Sequence, residues 1–386
     1  MALHPMKTLR NAFTAIALLI VALVGVEFWL QGKSAPALQR ITGRAADADQ
    51  SLLVVSSVCH HELQRLLETK HVASRRSGTH LVRVNSLGCR GDESESPAPD
   101  GVFRILVLGD DCICGASVDE TETVPARLQQ FLSRQTARKL EVINGGVPGY
   151  CPLLSWIKFE HDLAKLKPDL VVLHVDMTDI ADDACYRSLL LEENQHAICS
   201  HPALRLKPKP EHSVTQFVRK SATASWIFTK VRDQGPELLS ASPVSPRGCL
   251  FDWISDDPAD LRLQVRHALE PISRLKSSVE GAGGRLLVTT APVLWQVVSA
   301  DAAPQLSRRC GIRGTTPYHS RFPFEVLQAF CNHAQIRFCD TSPTFENGKG
   351  AEKLFSTEAP VLSRIGMALY AREIARYLIT NPPADW

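Results

Sequence analysis

The chain has 386 residues, of which 44% are hydrophobic and 22% are charged, and its formal net charge is +2. This length accommodates one large α/β domain or two smaller domains, and the composition is typical of a packed globular protein rather than a disordered one. The near balance of charge gives no reason to expect nucleic acid as a partner.

The N-terminus has the pattern of an export signal. Lys7 and Arg10 precede an apolar run, Ala12–Val26. Phe28–Leu30 extend this run nearly to the roughly 20 residues that span a bilayer. We predict an uncleaved signal anchor over residues 1–33, with the bulk of the chain extracytoplasmic, in the periplasm or at the cell surface. The alternative is a cleaved signal and a secreted protein, which Pro36 at the cleavage site disfavours.

The cysteine content is compatible with export. The sequence has 11 cysteines, and disulfides persist outside the cytoplasm. Because the number is odd, at least one cysteine lacks a partner within the chain.

The domain organisation follows from a change of pattern near residue 101. Residues 34–100 are predicted to form a linker and approach segment with one helix over Asp49–Glu68. A single domain is predicted over residues 101–383. It is interrupted at about 184–257 by a long, poorly periodic stretch, which we interpret as an insertion.

Short apolar runs alternate with helical segments throughout this domain. Strands are predicted near residues 103–109, 139–146, 168–175, 285–293 and 336–340, and helices within 123–135, 152–167, 260–279, 322–334 and 361–379. This alternation predicts an α/β fold, a flavodoxin-like three-layer sandwich with a five-stranded parallel sheet. Ligands of such folds bind outside the carboxyl ends of the strands.

Five segments in order resemble the sequence blocks of the SGNH (GDSL-type) hydrolase family, in the version found behind an N-terminal membrane anchor. They are "NSLGCRG" (85–91), "ILVLGDDCICG" (105–115), "EVINGGVPGY" (141–150), "PDLVVLHVDMTDI" (168–180) and "EKLFSTEAPVLSRIGMALYAREIARYL" (352–378). The resemblance implies an SGNH hydrolase-like fold and, for the family, hydrolysis of esters or acyl groups.

The resemblance also implies where the catalytic residues would stand, and most of them are replaced. Asp111 occupies the position of the serine nucleophile, and Thr178 that of the oxyanion asparagine. Asp179, the next residue, is one that the family also carries. Ala359 and Val361 stand where the family has its acid and its histidine.

Three other residues are predicted to lie at the pocket. A glycine of the second block is kept as Gly146 or Gly149, which implies an oxyanion donor there. Trp295 follows the fourth strand and either lines the pocket or packs against the insertion.

Asp111 has two interpretations. At the start of a helix its carboxylate is suited to cap backbone N–H groups, and there it would occupy or repel the oxyanion pocket. The alternative is a carboxylate nucleophile, for which His174 is the nearest candidate base. A histidine at the end of a buried strand is more often a core residue, so we favour the capping role.

Acidic residues follow both the first and the third strand. Asp110, Asp111, Asp176 and Asp179 are therefore candidate ligands for Ca²⁺ or Mg²⁺. Helix capping and solvation explain the same spacing, and we favour that explanation. The prediction is therefore that no metal or other cofactor is bound.

The functional prediction is a catalytically inactive SGNH-like pseudoenzyme that binds a ligand. The expected partners are a glycan or acylated polymer, or another envelope protein, with membrane attachment through the N-terminal helix. The alternatives are an active esterase or acyl hydrolase with a non-standard constellation around Asp111, and a purely scaffolding envelope protein.

Overall fold

A computed structural model describes residues 52–74, 78–193, 196–205, 251–256, 260–312, 314, 318–346, 350–383 and 386. The predicted signal anchor and much of the predicted insertion lie outside these residues. Within the described ranges, no helix has the length and apolar character needed to cross a bilayer.

The described chain contains eleven strands, four before the predicted domain and seven within it. They are β1 (Leu53–Val55), β2 (His61–Leu63), β3 (Glu68–Ser74), β4 (Gly78–Arg83), β5 (Val102–Leu108), β6 (Lys139–Asn144), β7 (Leu170–His174), β8 (Leu190–Glu193), β9 (His196–Cys199), β10 (Arg285–Thr290) and β11 (Arg337–Asp340).

Five of these strands form the parallel sheet that the sequence predicts. Their spatial order is β11-β10-β7-β5-β6, and every neighbouring pair is parallel. Counted along the chain from β5, this is the 2-1-3-4-5 order of a flavodoxin-like sheet. All five residues of β7 are buried, which requires cover on both faces of the sheet.

The helices alternate with these strands, and the described ones have the following bounds. They are α1 (Asp111–Cys114), α2 (Val124–Ser133), α3 (Pro152–Lys158), α4 (Asp179–Arg187), α5 (Pro202–Arg205), α6 (Arg262–Gly281), α7 (Leu294–Val297), α8 (Pro304–Arg309), α9 (Phe322–His333), α10 (Ser342–Glu346) and α11 (Arg364–Thr380). Helix α2 packs on α11, whereas α3, α4 and α6 pack on one another. The predicted α/β class is confirmed.

The helix predicted over Asp49–Glu68 is wrong. The segment instead forms β1 and β2, which pair antiparallel with Leu53 opposite Leu63. His60, just before β2, has a left-handed backbone (φ 59°), which interrupts any helix. The periodicity of a short apolar run is compatible with either a helix or a strand. In this segment the two halves of the run pair with each other, so they form strands.

Arg90, within the predicted approach segment, holds the segment to the sheet domain. Its backbone N–H donates to the carbonyl of Asn144 at the end of β6 (2.9 Å). Its buried guanidinium donates to the carbonyls of Cys114 (2.8 Å), Gly115 and Val118 (2.8 Å). These bonds fix the end of α1, the helix that carries Asp111.

Many cysteines of the described chain behave as small apolar residues. Buried thiols without a disulfide stand at positions 59, 89, 112, 114, 151, 331 and 339. The export prediction therefore draws no support from disulfides at these positions, and it depends on the N-terminal segment.

Candidate functional site

Three loops meet at the carboxyl ends of neighbouring strands and enclose a crevice of about 280 Å³. They follow β5, β6 and β7, which lie side by side in the sheet. The crevice is lined by Asp110, Asp111, Gly149, Asp176, Thr178, Asp182, Ala359, Pro360 and Val361. This is the position at which doubly wound folds bind ligands.

The first loop shows that the predicted cap is one residue off. Asp110 is the N-cap of α1, and its Oδ1 accepts from the backbone N–H of Cys112 (3.0 Å). Asp111 is the first helical residue. Its carboxylate points across the crevice, where Oδ2 accepts from the backbone N–H of Gly149 (3.1 Å).

The two candidate glycines have different roles. A Cβ on Gly146 would lie 2.4 Å from the backbone nitrogen of Cys114, so this glycine lets the second loop pack against α1. Gly149 has a left-handed backbone (φ 73°), and its N–H faces the crevice. Of the two, Gly149 is the glycine whose N–H donates to Asp111.

The third loop is organised by its own carboxylates. Asp176 Oδ1 accepts from the N–H (2.6 Å) and the hydroxyl (2.7 Å) of Thr178. The same hydroxyl lies 2.9 Å from Asp182 Oδ2. A hydroxyl has one proton, so both contacts are hydrogen bonds only when one of these two carboxyl groups is protonated. Asp179 accepts from the Asp176 N–H (3.0 Å) and is buried behind the crevice.

Four carboxyl groups at the crevice have raised pKa values, those of Asp110, Asp111, Asp179 and Asp182. Burial, followed by the charge of Asp176, raises the pKa of Asp110 and of Asp179 well above its usual range. Burial raises the pKa of Asp111, against the opposing effect of the Gly149 hydrogen bond. Burial, with the charge of Asp176, raises the pKa of Asp182 to about 7. Several like charges are thus held in a poorly solvated space.

His174, at the end of β7, faces this group of carboxylates from below. Its side chain is 3% exposed, and its Nε2 lies 3.9 Å from Asp110 Oδ1. Its Nδ1 lies 2.7 Å from the hydroxyl of Tyr370 in α11. Burial lowers the pKa of His174 to about 4, so the ring is neutral at physiological pH.

The positions that the resemblance gives for the acid and the histidine do lie at the crevice, although their side chains are apolar. Ala359 and Val361 form its wall in the turn before α11. Among the described residues, the crevice wall that faces Asp111 carries no imidazole. Asp111 therefore has a backbone N–H as its hydrogen-bond partner, not a general base.

Trp295 lies away from the crevice. It is buried, its ring packs edge-on against Phe251 (4.9 Å between centroids), and its Nε1 donates to Ser307 (2.9 Å). Phe251 belongs to the predicted insertion, so the structure favours packing over the pocket role. Its neighbour Gln296 accepts from the N–H of Val293 (3.1 Å) and caps α7.

Sequence reasoning treated His174 as a core residue and did not connect it to Tyr370. A histidine at the end of a predicted strand, two residues before an aspartate, was the available signal. The partner, however, lies 196 positions further along the chain.

Comparisons with known proteins give weak likenesses. No family model matches the chain, and no curated protein matches it. Among solved structures, the chain is similar to a lipase/acylhydrolase from Enterococcus faecalis, with 13% identity, a TM-score of 0.36, and coverage of 71% of this chain and 94% of that one. It is also similar to a catalytic mutant of Axe2, an acetylxylan esterase from Geobacillus stearothermophilus, with 12% identity, a TM-score of 0.38, and coverage of 74% and 95%.

Proposed function

We propose that this chain is an SGNH hydrolase-like protein that binds a ligand in its strand-end crevice and does not cleave esters. The observation that supports this proposal most directly is the hydrogen bond from the Gly149 N–H to the Asp111 carboxylate. A carboxylate stands at the position of the nucleophile and accepts the N–H that the resemblance gives to the oxyanion hole.

The chemistry of this arrangement supports the proposal. Attack by serine needs a hydroxyl, a base that takes its proton, and free donors that stabilise the oxyanion. Asp111 supplies no hydroxyl, and Val361 supplies no base. The Gly149 N–H already has a carboxylate acceptor, so a developing oxyanion would meet a negative group in its place.

The ligand and the location are proposed from the sequence. The family resemblance favours a glycan or acylated polymer, or another envelope protein, as the partner. The basic flank and apolar run at residues 7–30 favour an anchored, extracytoplasmic protein. The crevice, with its carboxyl groups and the apolar wall of Ala359 and Val361, offers acceptors for sugar hydroxyls beside a surface for an acyl chain.

The test is ester hydrolysis by the full chain in detergent, with p-nitrophenyl acetate as the probe. We expect no turnover above that of the Asp111→Asn variant, which keeps the size of the side chain and an acceptor oxygen. We expect the double variant Asp111→Ser, Val361→His to gain turnover. Wild-type turnover that Asp111→Asn abolishes would overturn the proposal.

A second candidate function is hydrolysis through a displaced constellation of side chains. It is favoured by the raised pKa of the crevice carboxyl groups and by His174, which lies 3.9 Å from Asp110. In that case His174→Gln would abolish wild-type turnover, and the rate would rise with pH as the crevice carboxyl groups lose their protons.

A further inference from the structure

We propose that Asp110, His174 and Asp176 form a binding site for a divalent transition-metal ion, with Zn²⁺ the preferred ion. One ligand atom from each residue lies within 4.8 Å of the other two, and all three residues are buried. His174 ends β7, and Asp110 and Asp176 stand two residues beyond the ends of β5 and β7, so the sheet sets their spacing. The site adjoins the crevice but does not depend on the proposed function.

The bonding of His174 leaves one nitrogen unprotonated. The carbonyl of Cys339 can only accept, so it takes the proton of the Thr289 hydroxyl (3.1 Å). Thr289 Oγ1 therefore accepts from the Tyr370 hydroxyl (3.2 Å), and Tyr370 in turn accepts from His174 Nδ1–H (2.7 Å). Of the two neutral tautomers of His174, only the one with its proton on Nδ1 allows all three bonds.

The lone pair of His174 Nε2 is consequently directed at the carboxyl groups and has no hydrogen bond to either. A histidine that served to orient Asp110 would donate a proton to it, but Nε2 has no proton to donate. The 3.9 Å separation from Asp110 Oδ1 is also too long for a hydrogen bond. The Asp110 and Asp176 carboxyl groups share a hydrogen bond, so one of them carries a proton. A buried histidine with an acceptor nitrogen beside such a pair can bind a metal ion that takes the place of this proton.

The surrounding charge supports a cation. The charged groups that act on Asp110 are Asp176, Asp111 and Asp179, all of them carboxyl groups. A divalent ion would replace their mutual repulsion with attraction to a shared centre. The hydrogen bond from His174 to Tyr370 is the outer contact that usually orients an imidazole ligand.

The donor set favours Zn²⁺ over Mg²⁺ and Ca²⁺. Imidazole nitrogen and carboxylate oxygen are both ligands of Zn²⁺, and a Zn²⁺ ion held by three residues keeps a fourth position open to water or ligand. Mg²⁺ and Ca²⁺ prefer all-oxygen sites with six or more ligands. Asp110 and Asp176 both line the crevice, so the fourth position would open toward it.

The test is calorimetric titration of the chelator-treated full chain with ZnCl₂ alone. We expect one ion per chain at micromolar Kd or tighter, and at least tenfold weaker binding of Mg²⁺. Asp110→Asn retains an N-cap side chain for α1, and we expect it and His174→Gln each to weaken Zn²⁺ binding by at least about tenfold. Tyr370→Phe, a positioning variant, should weaken it by about tenfold while leaving the imidazole in place.

Asp169→Asn is the matched control, because it removes a carboxyl group at the opposite end of β7, and the amide oxygen that replaces it can still accept from the Arg104 N–H. Its Zn²⁺ affinity should equal that of the wild type. The proposal is overturned if no ion binds, if Asp110→Asn binds as tightly as the wild type, or if Mg²⁺ binds equally well. Should His174→Gln fail to fold, zinc X-ray absorption of the wild type decides. One imidazole with oxygen ligands supports the site, and sulfur ligands from cysteine overturn it.

Discussion

Two partly buried groups of charged residues in this molecule are built on opposite principles. The first lies where β2 meets the end of α3, and it pairs Glu62 and Asp162 with Lys158 and Arg65. Lys158 Nζ lies 2.5 Å from Asp162 and 3.1 Å from Glu62, and Arg65 lies 2.8 Å from Asp162. The second is the crevice at the strand ends, where the carboxyl groups of Asp110, Asp111, Asp176, Asp179 and Asp182 face one another.

The two groups respond to burial in opposite ways. Burial acts to raise the pKa of Asp162, but the charges and hydrogen bonds of Lys158 and Arg65 together outweigh it, and the pKa falls below its usual range. In the crevice, burial and neighbouring carboxyl groups act together, and the pKa of Asp110 rises. In the first group each carboxylate has a cationic partner, whereas in the part of the chain that the structure describes no lysine or arginine is among the groups that shift the pKa of Asp110, Asp111, Asp179 or Asp182.

The largest effect on the free energy of unfolding is expected from removing Lys158, the buried cation of the first group. Lys158 is 1% exposed, so Lys158→Met fills the same space but leaves Glu62 and Asp162 without their main cation. We expect a loss of about 3–5 kcal/mol in the free energy of unfolding, measured by urea denaturation. The matched control is Arg65→Met, whose side chain is 38% exposed and which should lose less than about 1 kcal/mol. Equal losses would mean that the two cations are equivalent and that burial does not set the difference.

A smaller effect of opposite sign is expected from the crevice. A carboxyl group whose pKa is raised in the folded state stabilises the fold below its unfolded pKa and loses that stabilisation as pH rises through the folded value. For Asp182 the window runs from 3.8 to about 7. The whole shift corresponds to roughly 4 kcal/mol, and water in the open crevice reduces what is expressed.

In chelator-treated protein, Asp182→Asn should therefore be more stable than the wild type at pH 8 by about 2 kcal/mol. The two proteins should converge near pH 4. Urea denaturation at both pH values measures this. If Asp182→Asn were less stable than the wild type at pH 8, the ionised Asp182 carboxylate would not destabilise the fold, and this prediction would be wrong.

The smallest effect on stability is expected from His60, a buried histidine just before β2, the strand that contains Glu62 of the first group. Burial, with the neighbouring rings of His61 and His201, lowers its pKa to about 4. A group whose folded pKa is below its unfolded value stabilises the fold above pH 6.5 and loses that contribution as pH falls toward 4.

We expect wild-type stability to fall by an extra amount on the order of 1 kcal/mol between pH 6.5 and 4, compared with His60→Asn. Asparagine tolerates the left-handed backbone at this position (φ 59°), so the substitution tests the titration and not the turn. Parallel pH profiles of the two proteins would exclude His60 as the cause.

Much of the site could be located from sequence because it depends on local rules. The apolar runs that became β5, β6 and β7 each end in a loop, and parallel strands bring those loops to one edge. Asp110, Asp111 and Asp176 were therefore predicted to be neighbours. The error at Asp111, which is not the N-cap, is a shift of one residue in a four-residue helix. Periodicity does not fix helix ends that closely.

The sequence by itself determined the alternation of strands and helices, and with it the parallel sheet and the edge where polar side chains collect. It also determined that no hydroxyl stands at position 111 and no imidazole at position 361. Only the tertiary structure decided the pairing of β1 with β2, the burial of Trp295 against Phe251, and the link from His174 to Tyr370. These depend on contacts between residues far apart in the chain, which hydrophobic period and residue type do not encode.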